Sequence, residues 1–268
     1  MTLRNKLTQL KRIISGYGSA VVAFSGGQDS AFLLKICSLT LPLKKILAVT
    51  AVSATYPKAE LAKARILAKA IGVKLKVIRT VELSNKKFTA NSTKRCYFCK
   101  KELFSKLIII AKQNKFNSVL EASNLTDKDD YRPGNIAKTE LKIESPLLKV
   151  GFSKKDIIEL SKKLGLSSWN KPSLACLASR VPYGIKVTGN LLKRIDQAEA
   201  YLIDLGFKQI RLRHHNRLCR IEVDKRDIFQ ILGKRQEIIE RLKGLGYNYI
   251  TLDLEGYRRG SLNEVINK

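Results

Sequence analysis

Residues 25–30, with the sequence SGGQDS, constrain the fold more than any other segment of the chain. They follow an apolar run at residues 21–24 that is typical of a buried strand, and they lead into helical spacing over residues 30–39. Two adjacent glycines allow a backbone to approach an anion closely, and the N–H groups at the start of a helix bind phosphate. We therefore predict a pyrophosphate-binding loop that uses Ser25, Gly26, Gly27, Asp29 and Ser30.

Two features of this loop limit that interpretation. The segment has neither the Lys of a Walker A motif nor the Gly-x-Gly-x-x-Gly spacing of a dinucleotide-binding turn. A pair of glycines also occurs in ordinary tight turns, in which Asp29 would serve as a helix cap or first-turn acid. The position between an apolar strand and an apolar helix favours the phosphate loop over the turn.

Apolar runs and helical stretches alternate through the first half of the chain. This cadence predicts an α/β fold, in which helices cover both faces of a parallel twisted sheet. The predicted strands are residues 21–24, 46–52, 73–81 and 118–122, and the predicted helices are residues 30–39, 57–71, 100–113 and 154–164.

The pattern changes after Gly184, and the chain is then typical of a small α+β domain. We predict helices at residues 191–205 and 226–242, an antiparallel hairpin of residues 209–213 and 218–223, and a last strand at residues 247–252. The predicted domains are residues 1–168 and 188–268, and residues 169–187 form a linker that carries Cys176.

Charge is the most pronounced bulk property. The chain has 51 Lys and Arg against 23 Asp and Glu, a formal net charge of +28. Such a field favours anionic partners, from nucleotides to RNA. The lysines are scattered along the whole chain, which equally fits a lysine-rich composition with no polyanion partner.

Targeting and redox signals point to the cytoplasm. No apolar run is longer than the five residues of 107–111, which is too short to cross a bilayer, so we expect no membrane association. The basic N-terminal residues have helical spacing and predict a first helix, not an export signal. Five cysteines, an odd number, do not suggest a disulfide framework.

Three cysteines form the second candidate site. Two residues separate Cys96 from Cys99, which lie between basic neighbours, and Cys176 lies far along the chain. This set suits a [4Fe–4S] cluster with one open iron, zinc completed by water, a redox dithiol, or an inert pair. Cys37 and Cys219 lie within apolar periodic stretches and are expected in the core.

Charged residues elsewhere carry weaker signals. Arg211 and Arg213 alternate on one predicted strand, so they share a face and either clamp a phosphate or cover a solvated surface. Asp127 and Asp130 either help to hold Mg²⁺ or cap a turn and pair with Arg132. Glu222 either assists this second site or pairs with a neighbouring arginine, Arg220 or Arg211.

Residues 25–30 resemble the PP-loop of the N-type ATP pyrophosphatases. Together with residues 123–134, 169–184 and 252–260, they resemble the LarE family of sulfur transferases, which make the nickel-pincer nucleotide cofactor. The resemblance implies that ATP adenylates a carboxylate of a pyridinium dicarboxylate mononucleotide, and that sulfur then displaces AMP. It also implies that Ser53 lies at the adenosine, and that the strand of Arg211 and Arg213 holds the substrate phosphate.

The three-cysteine pattern is similar to the members of this family that carry a cluster. Members with one cysteine matching Cys176 resemble sacrificial donors that keep a dehydroalanine. The pattern here implies instead a [4Fe–4S] cluster on Cys96, Cys99 and Cys176 that delivers sulfide, whose source the sequence leaves open. The family also implies a homo-oligomer, often a hexamer.

Two other functions compete with this interpretation. A tRNA-thiolating PP-loop enzyme would use the +28 charge, although no appended RNA-binding domain or dense basic–aromatic patch is visible. A non-catalytic nucleotide sensor or cluster carrier would bind ATP without releasing pyrophosphate.

Overall fold

The chain folds into two compact units. A computed structural model describes residues 1–127, 133–171, 175–258 and 260–264. The first unit comprises residues 1–53, 58–82 and 94–174, and the second comprises residues 54–57, 83–93 and 175–268. The domain boundaries at residues 168 and 188 stay a prediction.

The first unit is built on a four-stranded parallel sheet with the order β3-β2-β1-β4. Its strands are β1 Ala20–Ala23, β2 Ile46–Val52, β3 Leu75–Arg79 and β4 Ser118–Leu120. The two central strands and the edge strand β4 are mostly buried, which explains their apolar sequences, whereas the other edge strand, β3, has no fully buried residue. The third strand is shorter than the sequence pattern predicts.

Helices cover both faces of this sheet. They are α1 Leu3–Tyr17, α2 Gln28–Ser38, α3 Lys58–Ile71, α5 Arg95–Gln113, α6 Gly134–Glu140, α7 Pro146–Val150 and α8 Lys154–Lys163. Alternate residues of β1 and β2 enter different cores: Val22 and Ala48 join one with α1, α2, α3 and α8, whereas Val21 joins the other with α5. The α/β class with helices on both faces is confirmed.

The second unit contains a three-stranded sheet with the order β5-β6-β7. Its elements are α4 Lys86–Thr89, α9 Gly189–Asp204, β5 Ile210–His215, β6 Leu218–Val223, α10 Ile228–Gly233, α11 Arg235–Gly244 and β7 Tyr249–Leu252. The antiparallel hairpin of β5 and β6 is confirmed, with Asn216 at φ 57° in its turn. The last strand pairs with β6 in parallel, which requires the crossover through α10 and α11.

The predicted helix at residues 226–242 is wrong as a single element. The structure forms two helices there, and they separate at Lys234, whose φ of −102° and ψ of 15° are not helical. Gly233 ends the first of them, and glycine weakens a helix interior by about 1 kcal/mol relative to alanine. The apolar periodicity continues across the break, so the pattern did not indicate it.

Among the described residues, no helix is long and apolar enough to cross a membrane.

Removing buried apolar volume from α1 should destabilise the first unit. Ile14 is completely buried, whereas Ile66 on α3 is 69% exposed. We expect Ile14→Ala to lower the free energy of unfolding by about 2–5 kcal/mol, and the matched Ile66→Ala to change it by less than about 0.5 kcal/mol. Urea denaturation followed by circular dichroism measures both. Equal losses would contradict the placement of α1 in the core.

Candidate active site

The SGGQDS loop lies at the carboxyl edge of the sheet, where the strand order reverses. The chain runs from β1 outward through β2 and β3, and β4 then pairs on the opposite side of β1. Ligands of open parallel sheets bind at such a switch point. The strand continues briefly as Phe24, whose N–H donates to the Val49 carbonyl at 2.9 Å. The side-chain hydroxyl of Thr50 donates to the Phe24 carbonyl at 2.6 Å and fixes the loop's entry.

Gly26 and Gly27 shape the loop itself. Gly26 has φ +72°, and a Cβ at this position would lie 2.9 Å from the Cβ of Ala64 on α3. Gly27 then precedes α2 in extended conformation, φ −77° and ψ 167°. Gly27 provides no side-chain cap for α2, and the N–H groups at the start of a helix favour an anion.

The serines at the two ends of the loop face each other. The Oγ atoms of Ser25 and Ser30 are 3.1 Å apart. The Gly27 N–H donates to Ser25 Oγ at 3.2 Å, and Ser30 Oγ donates to the Gly27 carbonyl at 3.0 Å. These contacts hold the loop in an open cradle at the positive end of the α2 dipole.

Two lysines from distant segments contact this loop. Lys154, the first residue of α8, places its Nζ 2.5 Å from Asp29 Oδ1. Lys171 donates from Nζ to the Gly26 carbonyl at 3.1 Å and pairs with Glu60 Oε2 on α3 at 2.6 Å. Sequence reasoning missed both lysines, because more than 120 residues separate each from the loop.

The segment before Lys171 is tied to the same helix. The side-chain amide of Gln28, the first residue of α2, donates to the Trp169 carbonyl. Residues 169–171, predicted as the start of a linker, therefore contact the phosphate loop. Residues 169–184 carry part of the family resemblance, and this was the feature of the sequence that could have indicated a role for residues 169–171.

Two other polar residues predicted for this unit, Ser53 and Asp127, lie within the described part of the chain. Ser53 directly follows β2 at the same sheet edge as the loop, because β1 and β2 are parallel neighbours. The Asp127 carboxylate accepts a hydrogen bond from the Asn124 N–H at 3.0 Å. This is the turn-capping role that the sequence offered as the alternative to Mg²⁺ binding. Asp130 and Arg132 lie outside the described residues.

Cys96 and Cys99 lie in the first turns of α5, which begins five residues earlier than the pattern predicts. Their spacing of three puts them on neighbouring positions of one helix face. Cys96 is exposed and Cys99 is half-buried. The Cys99 thiol lies 3.7 Å from Oε1 of Glu82, a buried carboxylate that also accepts the Thr80 hydroxyl at 2.9 Å.

Cys176 belongs to the second unit, where it precedes a 3-10 turn, Leu177–Arg180. The side chain of Cys176 is exposed. Arg180, which is 2% exposed, fixes the backbone of this turn by donating to the carbonyls of Ala175 at 2.8 Å and Cys176 at 3.0 Å. The same guanidinium forms a bidentate pair with Glu199, at 2.9 and 2.8 Å.

Arg211 and Arg213 are both buried, so the alternative of a solvated sheet face is wrong. Arg213 forms a bidentate pair with Glu222 at 2.9 and 2.8 Å and donates to the Ser179 carbonyl at 2.9 Å. Glu222 also pairs with Arg220, which is one of the two arginine partners that the sequence predicted for it. The backbone N–H of Leu212 donates to Glu199, which links this strand to the Arg180 pair.

Arg211 differs from its neighbour. Burial, together with repulsion from Arg180, lowers the pKa of the Arg211 guanidinium to about 10. Its guanidinium lies 5.2 Å from the ring of Tyr257. Charges of both signs act on this guanidinium, since Arg180 and Arg213 lower its pKa whereas Glu199 raises it.

Cys37 and Cys219 are completely buried, as predicted. Burial raises the pKa of each thiol to about 12. Within the part of the chain that the structure describes, no three His, Cys, Asp or Glu side chains gather closely enough to hold a metal ion. Cys96 and Cys99 suit a pair of thiolate ligands on one helix face.

The sheet order and the loop after β1 define the class: the first unit has the PP-loop fold. A family model described as NAD synthase matches residues 3–131. Three relatives match most of the chain. An uncharacterized protein of Synechocystis, slr1717, is 38% identical over 99% of this chain and 100% of its own.

The second relative is the pyridinium-3,5-bisthiocarboxylic acid mononucleotide synthase of Lactiplantibacillus plantarum, 35% identical over 100% of this chain and 97% of its own. An uncharacterized protein of Methanocaldococcus jannaschii, MJ0830, is 31% identical over 89% of this chain and 90% of its own. The chain belongs to the LarE family, and the resemblance found in its motifs is confirmed.

Gly26→Ala should damage the loop, because alanine disfavours φ +72° and its Cβ would clash with Ala64. We expect a loss of about 1–3 kcal/mol in unfolding free energy together with weaker ATP binding. The matched control is Gly16→Ala in α1, where nothing lies within 4 Å of the new Cβ. That change should stabilise the protein by about 0.5–1 kcal/mol. A Gly26→Ala variant that binds ATP normally would contradict the cradle.

Breaking the Arg213–Glu222 pair should lower the free energy of unfolding of the second unit. Glu222 is completely buried, so Glu222→Ala leaves an uncompensated guanidinium in the second unit. We expect about 3–5 kcal/mol of destabilisation by urea denaturation. Arg226→Ala breaks an exposed pair with Asp224 and should leave the denaturation midpoint unchanged. Similar effects of the two changes would show that the buried pair is not structural.

Proposed function

We propose that this protein is an ATP-dependent sulfur transferase, which converts a carboxylate of a pyridinium dicarboxylate mononucleotide into a thiocarboxylate in the cytoplasm. The observation that carries the proposal is the open SGGQDS cradle at the switch point of the sheet, in a chain 35% identical to a named bisthiocarboxylic acid mononucleotide synthase. The cradle supplies the pyrophosphate site, and the relative's name supplies the substrate class.

The first step of the proposed reaction is adenylation. A substrate carboxylate oxygen attacks the α-phosphorus of ATP, and pyrophosphate leaves. The N–H groups at the start of α2 and the hydroxyls of Ser25 and Ser30 bind the departing phosphates. Ser53 contacts the adenosine, and Mg²⁺ offsets the phosphate charge. Asp127 and Asp130, the two acids that the sequence offered, are the candidate ligands.

The second step is attack of sulfur on the acyl adenylate, which releases AMP. In the proposal, the buried arginines hold the substrate's phosphate. Arg211 is the better candidate of the two, because the Arg213 guanidinium already forms a bidentate pair with Glu222. Arg213 is held by Glu222 and so acts first as a support of the strand.

A [4Fe–4S] cluster on Cys96, Cys99 and Cys176 is the proposed sulfur carrier. When bound, such a cluster leaves one iron open to an exogenous sulfide. Cys96 and Cys176 are exposed and Cys99 is half-buried, unlike the buried Cys37 and Cys219. Arg180 supports this role by fixing the backbone on both sides of the Cys176 Cα. We also propose a homo-oligomer, with a hexamer as the first state to test.

The deciding assay uses anaerobic, cluster-reconstituted protein with Mg-ATP, sulfide and the pyridinium dicarboxylate mononucleotide. Mass spectrometry follows the small molecules and the intact protein, and pyrophosphate is measured in parallel. We expect thiocarboxylate in excess over enzyme, with the mass of the protein unchanged. Cys176→Ala should abolish the product, and the matched Cys219→Ala, at a buried core position, should retain it.

Other outcomes assign other functions. One product per enzyme, with Cys176 converted to dehydroalanine, would reject the cluster and establish a sacrificial donor. The net charge of +28 favours one alternative, tRNA thiolation. Pyrophosphate released only when tRNA replaces the mononucleotide would establish it. ATP binding without any pyrophosphate release would leave a non-catalytic nucleotide-binding protein.

A further inference from the structure

We propose that Lys171 is the phosphate-binding lysine of the SGGQDS loop, and that Glu60 holds it ready while no nucleotide is bound. This inference rests on the proposed function and adds a residue to it. The loop itself contains no lysine, unlike a Walker A loop, where a lysine within the motif reaches the β- and γ-phosphates. The fold instead brings Lys171 to this loop from 145 residues away.

The contacts of Lys171 place its charge at the loop. Its Nζ donates to the Gly26 carbonyl at 3.1 Å, next to the N–H groups that form the cradle. The backbone just before it is fixed by the hydrogen bond from Gln28 to the Trp169 carbonyl. A lysine anchored in this way, on a flexible four-carbon side chain, suits a point-charge contact to a phosphate.

Glu60 holds this ammonium in place through an ion pair. The Lys171 and Glu60 side chains are only 17% and 12% exposed, and an isolated charge at such burial would be costly. Burial acts to raise the pKa of Glu60, but hydrogen bonds from Lys171 and Lys63 hold that pKa below its usual value. Glu60 is therefore a carboxylate at neutral pH. In the proposal, it pairs with Lys171 until the more highly charged triphosphate of ATP binds.

The packing of α3 suits a change of partner, in which Lys171 leaves Glu60 and contacts the phosphates of ATP. Glu60 and Ala64 are four residues apart on this helix and so share a face, and Ala64 is the residue that meets Gly26. The carboxylate and the loop are thus held by one rigid element. Lys171 makes a single-atom contact to each of them, and the triphosphate of ATP offers several oxygens in place of one carboxylate.

Calorimetric titration of Lys171→Met with Mg-ATP, Mg-pyrophosphate and AMP tests this role. If Lys171 contacts the β- and γ-phosphates, ATP and pyrophosphate should bind about tenfold more weakly or worse, because one charge-assisted hydrogen bond is lost. AMP lacks those phosphates, so its affinity should stay within about twofold of wild type. Lys171→Arg keeps the charge and should restore most of the ATP affinity.

Lys63→Met is the matched control. Lys63 pairs with the same carboxylate at 3.0 Å, but its side chain is 54% exposed. All three ligands should bind this variant within about twofold of wild type. Glu60→Gln removes the competing anion and should tighten ATP binding. If Lys171 merely supports the fold, Lys171→Met and Glu60→Gln will both weaken AMP and ATP to the same extent.

The outcomes separate this inference from the proposed function. Unchanged ATP affinity in Lys171→Met, or a parallel loss of AMP, overturns the role of Lys171 while pyrophosphate release by the wild type still supports the transferase. A wild-type protein that binds neither ATP nor pyrophosphate removes both proposals. Selective loss of ATP and pyrophosphate affinity, with AMP retained, establishes the lysine.

Discussion

The position of β1 decides what the first unit can bind. It is the strand at which the sheet order reverses, with β2 on one side and β4 on the other, and every neighbour is parallel. The carboxyl ends of these strands therefore meet at one edge, and the start of α2 directs its N–H groups there. Gly26 makes this turn possible, because its φ of +72° and its contact with Ala64 exclude a side chain.

Paired charges recur at both candidate sites, but they are built differently. Around the phosphate loop, Lys154 and Lys171 each meet one carboxylate through one oxygen, in pairs that keep 12–32% of their side-chain surface exposed. In the second unit, Arg180 and Arg213 are locked into bidentate pairs that keep at most 8% exposed. The first kind of pair can exchange partners with a ligand, whereas the second positions backbone, including the turn that carries Cys176.

The five cysteines also differ in their environments, which divide them into core residues and candidate ligands. Cys37 and Cys219 are core residues whose pKa burial raises to about 12, so they are poor nucleophiles and poor ligands. Cys96 and Cys176 are exposed, and Cys99 lies beside the buried carboxylate of Glu82. The spacing in the sequence separated the two groups correctly, because apolar periodicity marks core positions whereas a Cys-x-x-Cys outside that periodicity does not.

The sequence by itself determined the α/β class, the strand-to-helix position of the SGGQDS loop, the β5–β6 hairpin and the family. These depend on local periodicity, turn chemistry and motifs that a few neighbouring residues encode. Tertiary structure alone decided that Lys154 and Lys171 contact the loop, that Glu60 pairs with Lys171, that Arg213 is held by Glu222, and that residues 226–242 break at Lys234. The lysine contacts join residues more than a hundred positions apart, so no local pattern indicates them. The Arg213–Glu222 pair and the break at Lys234 depend on which side chains are buried when the strands and helices pack.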